Sequence, residues 1–175
     1  AGTDPRKYLV LEYLSKGTLQ KLLSKNNVEA QGFASRLFRR PSFTYSALLS
    51  KSLELANAMD YLHSRCSKDC LIIHRDLKPD NIAFAENGVL KVLDFGLCTC
   101  IKTFKNGQDQ YQMTGNTGSL RYMAPEVVLR KKYNEKVDVY SFGVLLWQMA
   151  RDQVPFRGLN KENFIREVVV GGFRP

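Results

Sequence analysis

With 175 residues, 44% of them hydrophobic, the chain is long enough to bury one substantial core and too short to expect two domains. Its 26 Lys and Arg against 17 Asp and Glu leave a net charge of +9, but the charges are dispersed and no aromatic RNA-binding signature accompanies them, so no nucleic-acid partner is expected. No run approaches the roughly 20 apolar residues of a membrane helix, and residues 1–5 show no signal-peptide pattern, which points to a soluble, intracellular protein.

The chain starts at Ala1 rather than at a methionine and reads as an excerpt. Residues 8–11, Tyr-Leu-Val-Leu, form a short β-rich run; Gly17 then breaks the chain, and Thr18 is placed to cap a helix reaching about Leu23. Residues 24–44 carry Asn26, Asn27, Gly32 and Pro41 without a sustained period and are expected to form a long loop. Within it, RRPSF sets two arginines just before Ser42. The pattern resembles sites modified by basophilic kinases, although an ordinary exposed loop is the better-supported reading.

From residue 45 to 64, Leu49, Leu53, Ala56, Met59 and Leu62 recur at helical steps and predict a long core helix. Three β-like runs follow, at 71–73, 81–84 and 89–93, the last two separated by the turn residues Glu86, Asn87 and Gly88. Residues 96–123 have no clear period and are expected to be irregular and functional. Asn134 is a plausible cap for a helix over 135–151 whose inner face is Val139, Phe142, Leu146 and Met149. A last amphipathic stretch, 161–170, carries Phe164, Ile165 and Val168 and ends at Gly171-Gly172. The four cysteines, Cys66, Cys70, Cys98 and Cys100, have spacings that suit zinc poorly; free thiols are expected.

The densest chemistry lies in HRDLKPDN, residues 74–81, wedged between apolar runs although an unpaired buried charge is costly. Taken in order with LDFG (93–96), MAPE (123–126) and DVYSFG (138–143), it resembles the eukaryotic protein kinases, and specifically their large lobe plus hinge, over residues 8–175. The wording GSLRYMAPEV and DVYSFGVLLW is similar to the tyrosine-kinase-like group of Ser/Thr kinases. The resemblance implies an α+β fold, mainly helical, with short strands around the catalytic and magnesium-binding loops, and of the small lobe only its last strand and the hinge.

It also implies roles. Asp76 would accept or orient the proton of a substrate hydroxyl, Lys78 would reach the γ-phosphate of ATP, and Asn81 and Asp94 would hold Mg²⁺, which prefers such hard oxygen ligands. Ser119, standing where these enzymes usually carry threonine, would bond to Asp76 and Lys78 through its hydroxyl. Glu12 and Leu14 would meet adenine through their backbones, with Leu11 as gatekeeper and Ala83 as a shallow apolar floor. His74 resembles a packed spine residue stacked on Phe95. Asp138 would anchor the backbone of the His-Arg-Asp turn, with a helix-capping role compatible beside it. Arg75 would pair with phosphate placed by an upstream kinase on Thr114 or Thr117. No G-x-G-x-x-G loop and no V-A-I-K lysine precede residue 8, so the isolated piece is expected to be inactive, and a pseudokinase or scaffold module binding protein partners is the alternative.

Overall fold

The computed structural model describes residues 10–29, 41–102, 111–113, 115 and 118–175. Helix α1, Leu19–Glu29, starts where Thr18 Oγ1 accepts a hydrogen bond from the amide of Lys21 at 3.2 Å, which satisfies one of the four orphan donors of a helix start. It runs beyond the expected end and takes up the first part of the predicted 24–44 loop. Leu19 and Leu23 are buried, and an anchored apolar face outweighs the weak helix preference of Asn26 and Asn27. Residues 30–40 of that loop lie outside the described residues.

The strand expected at 8–11 is not seen in its described part. Val10 and Leu11 are 91% and 72% exposed and belong to neither sheet; without a neighbouring strand a single extended segment has nothing to bond to.

Helix α2, Tyr45–Asp60, is capped by Thr44, whose Oγ1 accepts from the amide of Ala47 at 3.3 Å. It continues through a wider turn, Tyr61–Arg65. Its inner face is Leu55, Met59 and Leu62, with Leu48 packed beside them, whereas Leu49 and Leu53 are 52% and 62% exposed. The expected stripe was therefore rotated. Positions 48, 52, 55, 59 and 62 lie on one line at 100° per residue, and 49 and 53 are one residue-step away from it. The polar member of the true line, Ser52, satisfies its hydroxyl on the Leu48 carbonyl at 2.7 Å, which is why a hydrophobic count overlooks it.

Two small antiparallel sheets follow. Strand β1, Cys70–Ile73, pairs with β4, Thr99–Lys102; β2, Ile82–Phe84, pairs with β3, Leu90–Val92. The β2–β3 turn forms as expected, with Gly88 at φ 81°, a left-handed conformation glycine adopts without penalty. β4 was not foreseen: it sits inside the stretch read as irregular, and its partner is far away in sequence, so no local period marks it.

Three helical elements complete the chain: α3, Pro125–Val128, α4, Lys136–Arg151, and α5, Lys161–Phe164, which runs on as a wider helix through Ile165–Val170. α4 is the pillar. Its Leu145 and Met149 pack with α1, α2 and the β2–β3 hairpin, its Val137 with β1, β4 and α3, and its Val144 with Phe156 and α5. A helix buried on several sides has no single apolar face. The predicted inner residue Val139 is accordingly 53% exposed, while Ser141 and Gln148, polar but satisfied, are buried.

Leu145 has no exposed surface and Leu53 is 62% exposed. Leu145→Ala should therefore lower unfolding free energy by about 2–5 kcal/mol, and Leu53→Ala by less than about 1 kcal/mol. Urea titration of the two variants reads the difference directly, and similar losses would contradict the assigned core.

Candidate active site

After β1 the chain turns sharply at His74 and Arg75, and Arg75 takes a left-handed φ of 68°, uncommon for a residue with a side chain. One side chain holds this turn. The carboxylate of Asp138, in the first turn of α4 and only 1% exposed, accepts from the amide of Arg75 on Oδ1 and from the amide of His74 on Oδ2, each at 2.8 Å. A third donor, His63 Nε2 at the end of α2, reaches Oδ2 at 2.8 Å. The anchoring expected of Asp138 is present. The helix is capped by Glu135 without a side-chain bond, so Asn134 is not the cap the sequence suggested; its Oδ1 accepts from the amide of Lys136 at 3.1 Å in a local turn just before the helix. His63 went unrecognised as a partner: a histidine closing an amphipathic helix was the available signal.

His74 is fully buried. Its Nε2 lies 3.0 Å from the Leu93 carbonyl, which can only accept, and its Nδ1 receives the amide of Asp76 at 3.3 Å. The ring therefore donates at Nε2, accepts at Nδ1 and is neutral. It meets Phe95 edge-on with centroids 5.4 Å apart rather than stacked as expected, and Phe95 is itself 50% exposed.

The turn delivers Asp76 into a polar cluster. Oδ2 accepts from Lys78 Nζ at 2.7 Å and from Asn81 Nδ2 at 3.1 Å, and Oδ1 accepts from the amide of Ser119 at 2.8 Å. Lys78 Nζ also donates to Ser119 Oγ at 3.0 Å, so Ser119 meets Asp76 through its backbone and Lys78 through its hydroxyl. Gly118 makes this approach possible. Its φ is 107°, and a Cβ there would lie 2.5 Å from the Arg75 carbonyl oxygen. Burial raises the pKa of Asp76, but the bonds from Lys78 and Ser119 outweigh it and hold the carboxyl below its ordinary range.

Asn81 donates from Nδ2 to both the carbonyl and the carboxylate of Asp76, at 2.9 and 3.1 Å. Those two acceptors fix the amide orientation and turn Oδ1 away from Asp76. β2–β3 pairing then brings the next acidic residue close, since the amide of Leu93 donates to the Asn81 carbonyl at 2.8 Å and Asp94 follows. Asp94 is exposed, has φ 59°, and accepts from the Gly96 amide at 3.2 Å on Oδ1. An amide oxygen and an exposed carboxylate are hard oxygen donors of the kind that fits Mg²⁺, which takes one or two protein oxygens and completes its shell with phosphate and water.

The hinge residues are less organised. Glu12 forms a surface ion pair with Lys91 at 3.2 Å, and the Leu14 carbonyl accepts from the Gly17 amide at 3.0 Å. Ala83 is buried in β2 and bridges to Thr18. Arg75 reaches the Leu97 carbonyl at 2.6 Å and the Tyr133 hydroxyl at 3.3 Å. Thr114 and Thr117 lie outside the described residues.

A family model described as protein kinase domain matches residues 2–171. Among curated relatives, the serine/threonine-protein kinase VIK of Arabidopsis thaliana is 39% identical over 150 residues, 85% of this chain and 30% of that protein. A putative mitogen-activated protein kinase kinase kinase 7-like protein of Drosophila melanogaster is 35% identical over 93% of this chain and 36% of its own length. The serine/threonine-protein kinase CTR1 of Arabidopsis thaliana is 36% identical over 94% of this chain and 18% of its own length. The chain thus spans roughly a third or less of the relatives it matches.

A carboxyl whose pKa is lowered by folding adds stability above its ordinary pKa, and that stability is lost as pH falls through the lowered value. Urea midpoints recorded from about pH 6 down to about pH 2 should drop on acidification, and drop less steeply in Asp76→Asn, which does not titrate at that position. Equal slopes would show that the cluster does not hold Asp76 ionised.

Proposed function

The chain belongs to the protein kinase domain family, and on that premise we propose that it is the hinge and large lobe of an ATP- and Mg²⁺-dependent protein serine/threonine kinase. The observation that carries the reading is the cluster in which Asp76, Lys78, Asn81 and Ser119 meet through bonds of 2.7–3.1 Å.

In this reading Asp76, held ionised, is the acceptor that orients a substrate hydroxyl and takes its proton. Lys78 keeps its ammonium at the same carboxylate, ready to shift toward a phosphoryl group. Ser119 fixes both partners, and the pairing of Lys78 with a hydroxyl residue at 119 supports serine or threonine as the acceptor. Asn81 and Asp94 would hold Mg²⁺, which supplies charge neutralisation on the phosphates. Glu12 and Leu14 would contact adenine through backbone groups, above Ala83. Arg75, which reaches the Leu97 carbonyl and the Tyr133 hydroxyl, would pair with phosphate placed by an upstream kinase on Thr114 or Thr117 through charge-assisted bonds. The site is intracellular in this reading, because that is where ATP and Mg²⁺ are abundant; among the described residues no helix is long and apolar enough to cross a membrane.

The test uses the parent protein. Asp76→Asn should reduce Mg²⁺-dependent transfer of phosphate to serine or threonine of a protein substrate by about 100-fold or more, with an unchanged far-UV circular dichroism spectrum. Turnover within a fewfold of wild type would remove Asp76 from the chemistry. Failure of the wild-type parent to transfer phosphate at all would favour a scaffold.

A further inference from the structure

Contrary to the expectation of four free thiols, Cys70 and Cys100 are joined as a disulfide, while Cys66 and Cys98 are free. The bridge crosses the β1–β4 sheet, where Cys70 is opposite Lys102 and Ile72 is opposite Cys100. Antiparallel pairing brings the two Cα atoms to 6.0 Å although they are 30 residues apart in sequence; that separation is one a disulfide spans without moving the backbone. The closed loop contains Asp76, Lys78, Asn81 and Asp94.

We propose that Cys70 and Cys100 are a reversible modification site, oxidised by a peroxide and reduced by a dithiol, which sets how firmly β4 is held against the strand that enters the catalytic turn. The sheet has only two strands, a size that is marginal by itself. Its inner residues Ile73 and Ile101 are buried, but Cys70 begins β1 and Cys100 is exposed, so the covalent link secures the end that packing secures least. β4 follows Asp94 after one helical turn, Phe95–Leu97, that Asp94 caps. A link there acts on the site from outside it.

The other thiols are placed so as not to compete. Cys98 is nearer to Cys100 in sequence, yet its Sγ lies against the His74 carbonyl at 3.7 Å and burial pushes its thiol up to about 11, leaving little thiolate to react. Cys66 sits after α2, in neither sheet. The reaction balances with one peroxide. The Cys100 thiolate attacks a peroxide oxygen, the O–O bond breaks, and water leaves a sulfenic acid on Cys100. The Cys70 thiolate then attacks that sulfur and expels a second water. Two thiols lose two electrons and hydrogen peroxide becomes two waters. A dithiol reverses this through a mixed disulfide and is itself oxidised to a disulfide. In a reducing compartment a bridge of this kind is transient and redox-sensing.

The site stands apart from phosphoryl transfer, so it can be tested without an activity assay. Treat the chain with hydrogen peroxide or dithiothreitol, alkylate, and map peptides by mass; then measure amide exchange over residues 99–102 and 82–92. The expected result is a Cys70–Cys100 linked peptide after peroxide that disappears with dithiothreitol. Exchange at 99–102 should be about tenfold faster or more on reduction, unchanged at 82–92, and insensitive to reductant in Cys100→Ser. Alkylation of both cysteines after peroxide, a link through Cys66 or Cys98, a bridge that dithiothreitol does not open, or equal exchange at 99–102 in both states would overturn the proposal.

Discussion

Much of the molecule depends on one buried carboxylate. Asp138 leaves water completely, and such a group is tolerated only if its lone pairs are filled. Three donors fill them: the amides of His74 and Arg75 and the ring of His63. The two backbone bonds hold Arg75 in a left-handed conformation it would otherwise avoid. That conformation, more than any property of Asp76 itself, decides where the Asp76 side chain emerges. The anchor therefore converts the rigidity of α4, packed against all three apolar clusters, into the position of a loop residue.

From there the order is local. Lys78, Asn81 and Ser119 converge on Asp76 because a short turn, Pro79–Asn81, folds Asn81 back onto it, and because Gly118 lets the returning chain come within backbone contact of Arg75. Neutral His74 closes the arrangement underneath, tying Asp76 to Leu93 and, through its edge contact, to Phe95. Residues from four separate segments of the chain are thus referred to a single helix. The polar cluster is mutually satisfied, which is how so many charges fit between a partly buried strand, β1, and a buried one, β2.

Much of this was legible in the sequence where the signal is local chemistry. The motifs named Asp76, Lys78, Asn81, Ser119 and Asp138, which the hydrogen bonds of one turn bring together, and Thr18 and Gly88 announced a cap and a turn because each acts on its near neighbours. What escaped was long-range. β4 exists by pairing with β1, Cys70 meets Cys100 only through that pairing, and His63 finds Asp138 across the interior. The inner faces of α2 and α4 were misread for a related reason. Ser141 and Gln148 are buried and Ser52 is partly buried, each with its polar group bonded, and a scheme that counts apolar residues assigns such positions to solvent.

If Asp138 is the anchor, the amides of His74, Arg75 and Ser119 should be among the slowest-exchanging in the molecule. Residue-resolved hydrogen exchange on the chain and on Asp138→Asn measures this. The account predicts protection at all three amides close to that of the buried face of α4, and its loss at all three in the variant while α4 stays protected. Rapid exchange at His74 and Arg75 in the unaltered chain, or protection that survives Asp138→Asn, would contradict it.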